Sequence, residues 1–338
     1  MQKSSEGRPT LEDVAAAAEV STATVSRCLS HPEKVRPALR SKVEAVIARL
    51  GYTPHGAARA LASSRTNTIG AVIPTLSNAI FAAVIQTLQE ALAAEGRTLL
   101  LAASDYDRKR EAQQIGNLVV RGIDGLMLTG EEREPGVYDL LQRRSIRKVC
   151  TYVHHPASPH STIGFDNAAA MVRLVAFLHD LGHRRMAMIA GLSQDNDRAT
   201  ERIEGVRRAL AARDLAALAI LERRYSVNEG RQALRTLMER AERPTAVLCG
   251  NDVLALGVLL EAQHLGIRVP EQLSITGFDD LWLAREIMPG LTTIHAPLRD
   301  MGRLAADYLM APSTPDEAPL HRELPAELVV RGSTGPAP

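Results

Sequence analysis

From Thr68 onward the chain repeats one unit, a short continuously apolar run followed by an amphipathic helical stretch. The runs are TIGAVIP (68–74), TLLLAAS (98–104), GLMLT (125–129), VCTYV (149–153), MAMIA (186–190), AVLCG (246–250) and LSITG (273–277). A strand that is apolar on both faces must be covered on both. Alternation with helices supplies that cover and gives parallel sheets. Ligands of such sheets sit beyond the carboxyl ends of the strands. The residues that follow the runs are therefore the candidates for chemistry: Ser77, Asn78 and Phe81, Asp105, the stretch NDRATER (196–202), Tyr225, Asn251 and Asp252, and GFDD (277–280).

The 338 residues exceed what one core normally serves, so two or three domains are expected. At 45% hydrophobic and 23% charged residues the chain reads as globular rather than disordered. No apolar run approaches the roughly 18 residues of a membrane span, and the opening MQKSSEGRPT has no signal-peptide stretch. A cytoplasmic protein is expected. Cys28, Cys150 and Cys249 are too scattered for a zinc site or a disulfide framework and are read as packing residues. Residues 1–65 carry ten Lys or Arg against six acids, a balance of +4, which leaves −3 for the remainder. A basic head on a slightly acidic body suits a chain that places only its head on a polyanion.

That head contains TLEDVAAAAEVSTATVSRCL (10–29). Thr10 can cap a helix, with Asp13 completing a capping box. Leu11, Val14, Ala15 and Ala18 fall on one face. Ser21 can cap a second helix, which buries Val25 and Leu29 and exposes Thr22, Ala23, Ser26 and Arg27. A third helix follows, with Pro37 in its first turn, Val43, Val46, Ile47 and Leu50 as its stripe and Gly51 at its end. Two short helices joined by a tight turn suit a helix-turn-helix, and the spacing alone also suits a generic three-helix bundle. In the first case the second helix enters the major groove N-terminus first. Thr22 and Ala23 then meet base edges or a thymine methyl, and Arg27 reaches guanine. Thr10, Ser21, Thr24 and Ser26 serve as caps or phosphate contacts.

The same residues resemble the LacI/GalR repressors, whose head follows approximately T-[LI]-x-D-V-A-x-x-A-G-V-S-x-x-T-V-S-R-x-L. Glu19 stands where that pattern has its turn glycine. If the position needs a positive φ, Glu costs about 1 kcal/mol. The resemblance continues through YTPHGAARAL (52–61), similar to the family's hinge helix, and through 68–331, similar to its effector-binding core. It implies a small all-α helix-turn-helix domain (8–53), a hinge helix and linker (54–66) and a two-lobed α/β core with parallel sheets, periplasmic-binding-protein-like (67–332). Lobe 1 is about 68–163 plus 297–322, and lobe 2 about 164–296 plus 323–331.

Pro54–Ala62 is too short for a stable lone helix. The resemblance pairs it with a second copy over the minor groove, with Leu61 as an inserted wedge and Arg59 near phosphate. A plain linker with an incidental leucine fits the same residues. The resemblance also makes the chain a homodimeric, sequence-specific DNA-binding transcription regulator, most simply a repressor, on a pseudo-palindromic double-stranded operator. Its control is by a small-molecule effector such as a sugar or sugar acid. The effector contacts carried over are Asn78, Phe81, Asp105, Arg202, Tyr225, Asn251 or Asp252, and Asp279. Ala79 departs from a frequent proline in the first-lobe loop. Two other classes, an enzyme and a transport binding protein, share such a two-lobed cleft. No nucleophile elbow, P-loop or HExxH constellation appears, so no catalytic residue, metal or cofactor is expected. A transport protein would carry a leader and no helix-turn-helix.

Overall fold

The chain divides into two compact units, residues 1–67 and 68–338. The structure, a computed structural model, describes residues 9–30, 32–53, 66–312 and 317–338. The segment expected to form the hinge, with Arg59 and Leu61, lies outside the described residues except for Thr66.

The head holds three helices, α1 (Leu11–Ala18), α2 (Thr22–Ser30) and α3 (Pro37–Leu50). Thr10 caps α1 by the reciprocal box, its side chain accepting from the Asp13 N–H while the Asp13 carboxylate accepts from the Thr10 N–H. The Thr10 backbone and hydroxyl bonds hold the Asp13 carboxyl below its ordinary value. Ser21 accepts from the Thr24 N–H at 3.2 Å and starts α2. Gly51 ends α3 at φ 63. The three helices close on Val14, Ala15, Ala18, Val25, Cys28, Val43, Val46 and Tyr52. Cys28 takes the inner position on α2, and Leu29, one residue further round the helix, packs half-buried against the edge of the same cluster.

The second unit is built on β1 (Thr68–Ile73), β2 (Thr98–Ala103), β3 (Gly125–Thr129), β4 (Arg147–Thr151), β5 (Thr162–Gly164), β6 (Met186–Gly191), β7 (Ile220–Arg223), β8 (Ala246–Cys249), β9 (Ser274–Thr276), β10 (Thr293–His295), β11 (His321–Glu323) and β12 (Glu327–Val329). Its longer helices are α4 (Ala79–Ala94), α5 (Arg108–Val120), α6 (Val137–Arg143), α7 (Asn167–Asp180), α8 (Asp197–Ala211), α9 (Val227–Met238), α10 (Asp252–His264) and, past one short turn, α11 (Leu298–Met310). The strands form a six-stranded parallel sheet in the order β11-β5-β4-β3-β1-β2 and a four-stranded parallel sheet in the order β7-β6-β8-β9. A two-stranded antiparallel ribbon of β10 and β12 accompanies them. The chain passes from one sheet to the other between β5 and α7, back between β10 and α11, and over again between β11 and β12.

All seven apolar runs are strands, but the fourth is displaced. β4 ends at Thr151 because Tyr152 adopts φ 67 and turns the chain out of the sheet. The resemblance closes the core at 332 and leaves the last residues outside it. Instead the tail docks. The Gly335 N–H donates to Ser274 Oγ at 3.1 Å, the Gly335 carbonyl lies 3.1 Å from His183 Nε2, and the Ala337 N–H donates to the Leu181 carbonyl at 2.8 Å. Ser274 and His183 are fully buried, and the tail backbone supplies the partners that buried polar groups require. Cys28, Cys150 and Cys249 are all buried and free.

Candidate functional site

In the head, α2 presents Thr22, Ala23 and Arg27 to solvent, with Ser21 exposed before them and Thr24 and Ser26 half-buried. Thr24 Oγ1 lies 2.9 Å from Ser21 Oγ, so these two hydroxyls are committed first to the cap. The exposed set Thr22, Ala23 and Arg27 is the face that a three-helix core leaves free once Val25 and Cys28 are inward. Glu19 caps α1 at φ 54, ψ 44, the left-handed turn where the sequence pattern calls for glycine. The Lys42 ammonium reaches its carboxylate at 3.2 Å.

In the second unit the predicted residues gather where the strands end. Asn78 follows β1 and caps α4, accepting from the Ile80 N–H. Asn251 follows β8 and caps α10, accepting from the Leu254 N–H at 2.9 Å. Asn196 follows β6 and caps α8. In each cap the amide oxygen is spent on the helix, so the amide nitrogen points the other way. Asp279 follows β9 at φ 108. Asn78, Phe81, Asn196, Arg198, Arg202, Tyr225, Asn251 and Asp279 line one small pocket, together with Ile80, Tyr106 and Tyr152. Tyr106 and Tyr152 were missed. Tyr106 directly follows Asp105 in a turn whose two residues both have positive φ, 57 and 61, and only that geometry swings the ring inward.

Arg202 anchors the floor. Its Nε donates to Asn167 Oδ1 at 2.9 Å and its Nη1 to the Gly250 carbonyl at 2.6 Å. The guanidinium lies 3.5 Å over the Phe278 ring, with Nη2 3.7 Å from Asp279 Oδ1. Asn167 in turn donates to the Tyr152 carbonyl at 2.9 Å, which ties Arg202 to the other sheet. Burial pushes the Asp279 carboxyl up to about 7 although Arg202 opposes it. Three buried polar atoms in this pocket have no partner: Asn78 Nδ2, Asn251 Nδ2 and Asp279 Oδ2.

A wider cavity of about 690 Å³ opens outside the pocket and shares Asn78, Tyr106, Asn196 and Tyr225 with it. Asp105 is exposed and lines only this outer space. The Tyr106 and Tyr225 rings stand 6.1 Å apart at the junction.

Asp252 is not brought to either space. Its Oδ1 accepts from the Thr293 hydroxyl at 2.6 Å and its Oδ2 from the Leu281 N–H at 2.7 Å. As the first residue of a helix capped by Asn251 it faces the opposite way, and burial with the nearby Asp279 charge pushes its carboxyl up to about 8. Among the described residues no group of three or more His, Cys, Asp or Glu side chains is arranged to hold a metal ion, and no helix is long and apolar enough to cross a membrane.

Residues 10–55 match the family model described as bacterial regulatory proteins, lacI family, and residues 175–334 match the periplasmic binding protein-like domain. Catabolite control protein A of Priestia megaterium is 32% identical over 96% of this chain and 99% of its own length. The HTH-type transcriptional repressor CytR of Escherichia coli K12 is also 32% identical, over 99% of each chain. The structure of the lac repressor dimer bound to operator and the anti-inducer ONPF superposes with a TM-score of 0.85 at 26% identity, covering 97% of this chain and 100% of that one. The chain belongs to the LacI family of bacterial regulatory proteins. It is a DNA-binding transcription regulator and not an enzyme.

Proposed function

We propose that the chain works in the cytoplasm as a homodimeric repressor on a pseudo-palindromic operator, and that a sugar or sugar acid bound between its two parallel sheets sets the affinity for that operator. The domain limits that go with this reading are 8–53 for the head, 54–66 for the hinge and 67–332 for the core, whose two sheets act as lobes. Thr22, Ala23 and Arg27 read bases; Thr10, Ser21, Thr24 and Ser26 position the head; Arg59 and Leu61 contact DNA from the hinge. The lac repressor structure, a dimer on operator with a small molecule bound, supports the combination.

The observation that carries the effector claim is the convergence of three orphaned buried atoms on one pocket, one from the first sheet's side and two from the second's. A buried polar atom without a partner costs roughly 1–3 kcal/mol, so the pocket favours whatever satisfies it. Two amide donors and one carboxylate acceptor require a ligand that both accepts and donates, as hydroxyl groups do. The Phe81 and Tyr225 rings supply the apolar walls.

The inner space is only about 20 Å³, room for about one water. A sugar therefore enters only when the sheets move apart, and that movement is what a hinge can transmit to DNA. A thermal-shift screen of the full chain against sugars, sugar acids, sugar phosphates and purines tests this. Saturation at about 100 times Kd adds roughly 2.7 kcal/mol. One polyhydroxylated class should raise the melting midpoint by several degrees, and Asn251→Ala should remove the shift. A response confined to purines, or none in the panel, would refute the ligand class.

A further inference from the structure

On the far side of α8 from the pocket, the two sheet bodies are joined by a compact polar contact. The loop after β3 is held within its own body by Arg133, which donates to the Thr129 carbonyl at 3.0 Å, to the Gly130 carbonyl at 2.6 Å and to both Glu111 oxygens at 2.9 Å. The start of α8, in the other body, reaches across. Asp197 Oδ2 accepts from the Glu131 N–H at 2.5 Å and from the Glu132 N–H at 3.3 Å. Gly130 has φ 72, and a Cβ there would be driven into the Arg198 guanidinium and the Asp197 carboxylate, so the approach needs glycine. Arg108 adds an ion pair to Asp195 at 2.9 Å.

Beside this contact sits His155. Its Nδ1 meets Glu131 Oε2, on its own side, and its Nε2 meets Glu201 Oε1, on α8, at 2.7 Å. A neutral imidazole has one N–H and one lone pair, so between two carboxylates it would turn a lone pair toward one of them. Only the imidazolium donates to both. We propose that Glu131–His155–Glu201 is a proton-dependent latch between the two sheet bodies, shut while His155 is charged and released when it loses its proton. This goes beyond the effector reading and does not depend on it.

The surroundings leave His155 as the group that decides. The depression it lines also contains Glu132 from the loop after β3, Asp197 and Thr200 from α8, and Ser158 and His160 from its own segment, with no Lys or Arg among the lining residues. Glu132 is paired with Arg108 and Asp197 with Arg198. Glu131 has Ser158 besides His155, and Glu201 has Asn167. The neighbouring His154 is turned to Glu323 at 3.7 Å. Loss of the imidazolium charge therefore leaves Glu131 and Glu201 facing each other uncompensated.

Burial works against charging His155, yet the two carboxylates outweigh it and hold its pKa above the ordinary histidine value. Burial likewise holds Glu201 above the ordinary carboxylate value, with Asp197 adding to it. Asp197 stays below its ordinary value, because Arg198 and the loop N–H groups outweigh its burial, so its bonds persist at neutral pH. The sign follows: a raised histidine contributes fully at low pH and is lost as pH climbs through its raised value.

The test is amide hydrogen exchange on the full chain from pH 6 to 9, corrected for intrinsic rates, with the Glu131 and Glu132 amides as reporters of separation. In the wild type their protection should fall by up to about tenfold per pH unit between the ordinary histidine value and the raised value of His155, and level off above it. His155→Gln should flatten the profile, His160→Gln should leave it as in the wild type, and Glu201→Gln should move the fall to lower pH. A wild-type profile that is flat, or one that His155→Gln leaves unchanged, would overturn the latch. So would a ring-proton titration in which His155 is already neutral at pH 6, a readout that stands even if a variant folds poorly.

Discussion

Glu19→Gly should stabilise the head, and the reason is conformational. Glu19 ends α1 at φ 54, ψ 44, a conformation that costs a side-chain-bearing residue roughly 1–2 kcal/mol. Glycine adopts it freely but gives back roughly 0.5–1 kcal/mol in unfolded-chain entropy. The Glu19–Lys42 pair, 3.2 Å long with its side chains 84% and 48% exposed, is lost as well, which costs about 0–1 kcal/mol and most often the lower end. The net gain for glycine is about 0.5 kcal/mol. Glu19→Ala is the control, since it loses the same ion pair and keeps the Cβ that causes the strain. Glycine should therefore exceed alanine by about 1 kcal/mol, or some 4 °C or more for a domain this small. Scanning calorimetry of the full-length variants reads the head transition, and amide exchange in α1 and α2 confirms where the change lies. Both variants remove one negative charge, so both should raise affinity for random DNA equally. Equal stability of the two variants would refute the reasoning, because charge rather than conformation would then set the cost of Glu19.

Asp279→Asn should flatten the pH dependence of core melting. With its carboxyl raised from 3.8 to about 7, Asp279 stabilises the fold below pH ~4 and loses that contribution as pH rises through 7, so the wild-type midpoint should drop across this range more than the variant's. Arg202→Lys keeps the charge but cannot serve the Asn167 and Gly250 oxygens together while stacking on Phe278. It should weaken ligand binding at least about tenfold by calorimetric titration, and unchanged affinity would remove Arg202 from the site. Arg27→Ala should cost about 1–3 kcal/mol on the preferred operator and relax specificity at one position. A uniform loss on all sequences would make Arg27 a phosphate contact.

How much of this was legible in the residues depended on the length of the signal. β1, β3, β6 and β8 are buried runs of four to six residues, and such runs are visible without context. β5 and β10–β12 are three residues long, and β7 is Ile-Leu-Glu-Arg. Pairing partners, not periodicity, make those segments strands. Capping was readable at Thr10, Ser21 and Gly51 because it depends on neighbours in sequence. The pocket was readable only as a list of polar residues after strands. That Asn78 and Asn251 spend their oxygens on their own helices, and so turn their amide nitrogens inward, depended on the folded geometry. So did the opposite orientations of Asn251 and Asp252, which sequence cannot separate. The His155 contact was out of reach for the same reason, since Glu131, His155 and Glu201 meet only when the two sheets do. In the sequence, His154-His155 lies in a Pro/Ser-rich stretch and reads as solvated.

The most direct measurement is fluorescence anisotropy of the full chain on an operator selected from random duplexes, with and without the ligand that raises the core melting midpoint. Typical coupling of 1–3 kcal/mol corresponds to about 5–150-fold. Operator affinity should change within that range for the wild type and stay fixed for Asp279→Asn, while affinity for random DNA is unaffected in both. A saturating ligand that leaves wild-type operator affinity where it was would contradict control of DNA binding through the cleft.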